Sequence, residues 1–354
     1  MDDQKDATRA ARLSPDGKEQ ACRDIIVIGG SAGALAAILD IAGAFPRDFA
    51  GSIFFVSHVG ANRSRLPELL VSAAQMPAAH AEDGEPIQPG RIYAAPPDRH
   101  MIVADGHIRL LRGPRQHFTR PAIDPLFRSA AEFFGARVIG VVLSGTGCDG
   151  VAGLDRIQHA GGLAVIQDPR DALYPEMPQS AAVAVQPHHL ATRDELPGLL
   201  RRLSSEKIAT RAPAATRQRN SDMDQLERPI ALTCPECGGA LREAGGAAVK
   251  EYRCHTGHRF GPKEVLDGQI EEVEHAFGVA ERVLNERIEL CRHMSEDARA
   301  GRRAMGVTHW DRLQKEAEEQ LHVLQQFLAR RPSHAIEDHG NGHATETSRE
   351  HSKA

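Results

Sequence analysis

Aromatic residues are scarce in this 354-residue chain, 4% of the total with a single Trp, so any core is built from Ala, Val, Ile and Leu rather than from large rings. Excess charge is also absent. Forty-three Lys and Arg against 48 Asp and Glu leave a net charge of −5, which argues against a general nucleic-acid binder. No unbroken apolar run approaches the roughly 20 residues that a membrane helix needs, and Met1 to Cys22 has no apolar stretch of signal-peptide type. A soluble, cytoplasmic protein is the expectation. Six cysteines are too few for a disulfide scaffold at this length. Cys22, Cys148 and Cys291 stand alone, whereas Cys234, Cys237 and Cys254 cluster as a metal site in a reducing compartment would.

What is present is a hydrophobic share of 41%, enough for a sizeable core, in a length that suggests about two structural units at roughly 150 residues per domain. From Asp24 to about Leu203, short β-branched runs alternate with Ala/Leu-rich segments of helical period. This predicts an α/β fold, a doubly wound and mostly parallel sheet, over residues 23–203. The candidate strands are Ile25 to Ile28, Ile53 to Val56, Val138 to Leu143 and Leu163 to Ile166. Asp105-Gly106, flanked by two apolar runs, predicts a type I′ turn and an antiparallel hairpin inserted in the sheet. Asp124-Pro125 reads as an N-cap followed by Pro at the first helical position.

Beyond this region, residues 204–230 read as a basic, Pro-containing linker without interleaved aromatics. Residues 231–262 hold the cysteine cluster. Residues 263–331 carry two apolar stripes at helical spacing, broken near Gly301 and Gly306, and predict an antiparallel helical hairpin that could also pair chains into a homodimer. Residues 1–22 and 332–354 are polar and read as disordered; a solvated tail is preferred to metal binding for its four histidines, 334, 339, 343 and 351.

After the first strand the chain reads Gly29-Gly30-Ser31-Ala32-Gly33, a G-x-S-x-G turn that can project a serine hydroxyl from the sheet edge. A phosphate loop is a poorer reading, because neither G-x-G-x-x-G nor Gly-Lys-Ser/Thr is present. Ser31 is therefore a nucleophile or a plain capping serine. A nucleophilic serine requires a base and an orienter. His58 follows the second strand and Asp149 follows Val138 to Leu143, so both belong at the crevice where strand ends converge. Taken singly, His58 could be a loop histidine and Asp149 the N-cap of the helix starting at Gly150-Val151. The order Ser, His, Asp disfavours an ordinary α/β-hydrolase.

Five ordered motifs carry a resemblance: Gly29 to Gly33, Val56-Ser57-His58, Arg120 to Phe127, Ser144 to Gly150, and Gln167-Asp168-Pro169 with Met177-Pro178. Over about Asp24 to Leu203 the chain resembles the catalytic domain of CheB-type protein-glutamate methylesterases of bacterial chemotaxis. The resemblance implies Ser31 as nucleophile, His58 as general base and Asp149 as the residue that orients the imidazole. It also implies backbone N–H donors at Ala32 and Thr146 for the oxyanion, a methylated chemoreceptor as partner, no catalytic cofactor, and glutamine deamidation as a second activity. Three stretches depart from the family pattern, Ser31 to Leu35, His58-Val59-Gly60 and Gly145-Thr146-Gly147, so the pocket walls differ. Only about two dozen polar residues precede the first strand, too few for the family's usual receiver domain, so control by phosphorylation in cis is not expected.

Cys234-Pro235-Glu236-Cys237, rejoined by Cys254 and His258, has the spacing of a tetrahedral Zn²⁺ site of Cys₃His type, with Gly238 and Gly239 permitting the knuckle turn. His255 is disfavoured because it adjoins Cys254. Four protein ligands leave no open position, so a structural zinc is expected. Proteins resembling this one carry such a ribbon and helices behind the esterase domain. Two rivals to the esterase reading are an inactive interaction module and, more weakly, a nucleotide binder. Cys148 is expected to be a small buried residue.

Overall fold

The computed structural model describes residues 22–58, 64–208, 232–244, 249–302 and 304–329. Of the expected disordered ends all but Cys22, together with most of the linker and the pair Val59-Gly60, lie outside the described residues. In chain order the elements of the α/β region are β1 (Ile25–Gly30), α1 (Leu35–Ala44), β2 (Ser52–Ser57), α2 (Leu66–Ala73), β3 (Ala78–His80), β4 (Arg91–Ala94), β5 (His100–Ala104), β6 (His107–Leu111), α3 (Ile123–Phe134), β7 (Val138–Val142), α4 (Val151–His159), β8 (Leu163–Gln167), α5 (Glu176–Ala184), β9 (His189–Ala191) and α6 (Leu196–Ser205).

Seven strands form one sheet in the order β3-β4-β2-β1-β7-β8-β9, with every neighbouring pair parallel. The central strands read as continuous apolar runs because both faces are covered. Alternate residues diverge: Ile25 and Val27 of β1 join Phe54 and Val56 of β2 in one core with α3 and α4, whereas Ile26 and Ile28 join Ile53 and Phe55 in a second core with α1 and α6. From β1 the chain winds outward through β2, then returns past β1 to place β7 on its other side. The strand order therefore reverses between β1 and β7, and a crevice opens at their carboxyl ends.

Three local expectations are corrected. The β5–β6 hairpin forms a separate two-stranded ribbon outside the parallel sheet, although its Asp105-Gly106 turn has both residues at positive φ, as type I′ requires. And Asp124 is not an N-cap: α3 starts one residue before it, and Pro125 is its third residue. The cap comes instead from a distant carboxylate, described below. The expected linker also begins later than its first residue, since α6 reaches Ser205 and Lys207 bridges to Cys22.

A small antiparallel sheet follows, β10 (Leu241–Glu243), β11 (Tyr252–Cys254) and β12 (Arg259–Phe260). It encloses Cys234, Leu241, Cys254, Phe260 and Val265. This ribbon packs on the α/β region: the His117 amide donates to the Arg259 carbonyl (2.8 Å), Arg128 of α3 pairs with Glu251 (3.1 Å), and the Phe118 and Phe260 rings lie 4.9 Å apart. The first compact unit ends at Gln269, within helix α7 (Pro262–Ala300). In the second unit the rest of α7 runs antiparallel to α8 (Ala304–Ala329), as the Phe277–Phe327 ring contact at one end and the Ser295–Asp311 hydrogen bond at the other require. Among the described residues no helix is long and apolar enough to cross a membrane.

Phe127, fully buried on α3 against the sheet and α4, tests how far the site depends on this layer. Phe127→Ala is expected to lower unfolding stability by about 3–5 kcal/mol, read as a shift of the urea midpoint at unchanged slope.

Candidate active site

Three strand ends meet at the crevice. Ser31 follows β1, His58 follows β2, and Asp149 lies in the loop between β7 and α4. The hydroxyl of Ser31 lies 3.1 Å from His58 Nδ1, and His58 Nε2 lies 2.8 Å from Asp149 Oδ2. A carboxylate facing Nε2 requires the proton there, which leaves the Nδ1 lone pair to accept the Ser31 O–H. The ring is thus turned the opposite way from the familiar pairing in which Nε2 faces the serine, with the same logic of proton flow.

The loops are locked to one another around this chain. The Ser31 amide donates to the Ser144 carbonyl (2.9 Å), the Ser144 hydroxyl donates to the Ala32 carbonyl (2.8 Å), and the Ser144 amide donates to Gln167 Oε1 (3.0 Å). A Cβ on Gly145 would stand 2.1 Å from Met177 Sδ and 2.8 Å from Ser31 Cβ, so only glycine lets the β7 loop close on the serine. The amides of Ala32 and Thr146, expected as oxyanion donors, have no hydrogen-bond partner among the described residues.

Asp149 is 1% exposed and accepts more than the imidazole. The amides of Ile123 and Asp124, the first turn of α3, donate to its Oδ2 (2.6 Å) and Oδ1 (3.0 Å). Asp149 therefore caps α3, not the helix that follows it, whose N-cap position is taken by Gly150 in a left-handed conformation. Burial would push the Asp149 carboxyl up, but the positive charge of His117, the hydrogen bond to His58 and the Ile123 amide together hold it far below the usual carboxylate range.

His117 was no candidate on sequence grounds. It is 7% exposed, and its Nε2–H donates to Asp124 Oδ2 (3.0 Å) and lies 3.8 Å from Asp149 Oδ1. Its Nδ1–H donates to Glu264 Oε1 (3.1 Å), which belongs to the first turn of α7. Burial disfavours its charged form, yet the carboxylates of Glu264 and Asp149 and the hydrogen bond to Asp124 hold the imidazole well above its ordinary value. Glu264 also accepts the Gly261 amide (2.6 Å), in the manner of a capping box, and the Cys148 amide and thiol. Burial first of all pushes that thiol up to about 12, which suits a hydrogen-bond donor and not a nucleophile. No local signal links His117 to Glu264; 147 positions separate them.

In the ribbon, Cys234, Cys237, Cys254 and His258 come together, all four donor atoms within 4.8 Å of one another, a set that could hold a metal ion. Cys237 Sγ lies 3.7 Å from Cys254 Sγ, and His258 Nδ1 lies 3.6 Å from Cys234 Sγ and 3.5 Å from Cys254 Sγ. Glu236 Oε2 stands 3.4 Å from His258 Nε2, the position of a carboxylate that orients a ligating imidazole. His255 is not part of the set.

The crevice thus presents a serine hydroxyl, an imidazole and a capped carboxylate in series on a doubly wound α/β sheet, the equipment of a serine-dependent acyl-transfer enzyme. The CheB methylesterase family profile matches residues 26–200. A Leptospira interrogans protein, provisionally named protein-glutamate methylesterase/protein-glutamine glutaminase, is 35% identical over 190 residues, which are 53% of this chain and 98% of that one. Proteins with this name in Maricaulis maris and, with a numeral, in Rhodospirillum rubrum are each 37% identical; their alignments span 51% and 50% of this chain, and 46% and 47% of theirs. The crystal structure of the Thermotoga maritima CheB methylesterase catalytic domain is similar at 29% identity and a TM-score of 0.49, over 51% of this chain and 98% of that one. The chain belongs to the CheB methylesterase family.

Gly145→Ala is expected to keep the fold but slow labelling of Ser31 by a fluorophosphonate probe at least about tenfold, because displacement of the reacting hydroxyl by a fraction of an ångström misaligns it. The check is the labelling rate at matched circular dichroism.

Proposed function

We propose that this chain is a protein-glutamate methylesterase that hydrolyses γ-glutamyl methyl esters on a chemoreceptor-like protein and deamidates glutamine at such positions as a second activity. Membership of the family and the names of its relatives support the reaction class. The single observation that carries the mechanism is the continuous Ser31–His58–Asp149 hydrogen-bond chain. His58 Nδ1 takes the hydroxyl proton as Ser31 Oγ attacks the ester carbonyl, while Asp149 holds the Nε2 proton and balances the imidazolium charge. The amides of Ala32 and Thr146 receive the oxyanion. His58 returns the proton to the departing methoxide, methanol leaves, and a water activated by the same imidazole cleaves the acyl-enzyme to glutamate.

A cytoplasmic site of action and a methylated receptor as partner belong to this proposal, as does pairing of two chains through α7 and α8. The proposed organisation assigns residues 23–203 to the esterase, 231–262 to a zinc ribbon and 263–331 to the helical hairpin. The rival reading, an inactive interaction module, has the altered pocket positions in its favour and the intact proton path against it.

Zinc is the proposed ion of the ribbon. With about 2.3 Å to sulfur and about 2.05 Å to nitrogen, a tetrahedral zinc sets edges of about 3.8 Å between sulfurs and about 3.6 Å between sulfur and nitrogen, close to the donor spacings above. Cys234, Cys237, Cys254 and His258 would hold it, with Glu236 behind the histidine. The ion would close the ribbon and take no part in hydrolysis.

Ser31→Ala is expected to abolish methanol release from methylated receptor at unchanged circular dichroism; residual turnover at the wild-type rate would defeat the esterase proposal. Purified protein is expected to carry about one zinc per chain, and Cys254→Ser to carry far less and to melt at lower temperature, as elemental analysis and a thermal scan would record.

A further inference from the structure

The buried contact between His117 and Glu264 joins two parts of the chain that the esterase chemistry by itself does not need to join. Glu264 sits at the ribbon–α7 junction, where it is fixed by the Gly261 and Cys148 amides. His117 stands between that carboxylate and the Asp149 Oδ1 side, opposite the oxygen that faces His58. We propose that His117 is a positioning residue through which the docked ribbon junction acts on the Asp149–His58 pair, Glu264 holding His117 charged against Asp149. The inference rests on the serine-hydrolase reading above.

Its direction follows from electrostatics. A positive charge on the far side of Asp149 competes for the negative charge that would otherwise hold a proton on the His58–Asp149 pair. While the junction is docked, a proton on the His58–Asp149 pair is therefore less favoured. Serine activation then extends further into the acid range.

The surroundings leave Glu264 as the group that decides the charge. On α3, Asp124 accepts from His117, but Arg128 faces it at 3.6 Å and offsets it. From the ribbon, Glu251 is matched by Arg128 and Arg259 at 3.1 and 2.7 Å. From the β7 loop, Cys148 is a neutral thiol, and Asp149 is shared with His58 and with the first turn of α3. The remaining neighbour of Asp149, His100, is pushed down first of all by burial; it is a neutral ring that donates to the Pro114 carbonyl and accepts the Ala122 amide. Among the described residues Glu264 has no countercharge at contact distance except His117.

The test is the rate of fluorophosphonate labelling of Ser31 across pH in the full chain, for wild type, His117→Asn, Glu264→Gln and the double variant. Removing the charge at 117 is expected to move the midpoint of the labelling profile up by on the order of one pH unit. Glu264→Gln is expected to move it in the same direction, and the double variant no further than His117→Asn. His117→Lys, which keeps a positive charge, is expected to stay near wild type. Nitrogen NMR of the wild-type imidazoles should show His117 doubly protonated at the labelling midpoint, a measurement that needs no variant to fold. An unmoved or lowered midpoint in folded His117→Asn or Glu264→Gln, or a neutral His117 in the wild type, overturns the proposal. Absence of labelling in the wild type at every pH would instead overturn the hydrolase reading on which it rests.

Discussion

The Asp149 carboxylate is the interaction on which the site depends. It ends the hydrogen-bond chain from Ser31, it supplies the cap that α3 lacks locally, and it faces His117. A fully buried carboxylate is unfavourable unless hydrogen bonds and charge surround it. Here two amides of a helix N-terminus and two imidazoles do so. The same bonds that make the charge tolerable also fix where α3, the β7 loop and the end of β2 stand relative to one another. Catalytic geometry and fold stability are thus served by one group.

The candidate site occupies the point where the strand order reverses because that is where loops from both halves of a parallel sheet reach the same crevice. Ser31 is held by the Ser144 carbonyl across that reversal, and Gly145 yields the space that brings Met177 and the serine together.

The ribbon packs directly against the catalytic layer. Its strand β12 pairs through Arg259 with the backbone of His117, and its carboxylate Glu251 meets Arg128 on α3. The four residues that could hold a metal ion lie within the same compact unit as Ser31, His58 and Asp149. A ribbon of this size has a small apolar interior, Leu241, Phe260 and Val265 beside two cysteines, and contact with the larger domain supplies buried area that it cannot generate alone.

By itself the amino-acid sequence determined the parallel sheet, through short β-branched runs alternating with segments of helical period, and it marked Ser31, His58 and Asp149 as residues that meet at strand ends, through short motifs placed after successive strands. The grouping of Cys234, Cys237, Cys254 and His258 was legible as well, because the spacing of such residues on knuckle turns is a local property. The short strands β3, β4 and β9 carried too few residues to show a period, and the cap on α3 was misassigned to Asp124 because the true acceptor is 26 positions away from Ile123. Only the tertiary structure decided that Asp149 caps α3 while it faces His58, and that Glu264 meets His117. Such contacts depend on which surfaces the folded layers bring together, and no spacing along the chain encodes them.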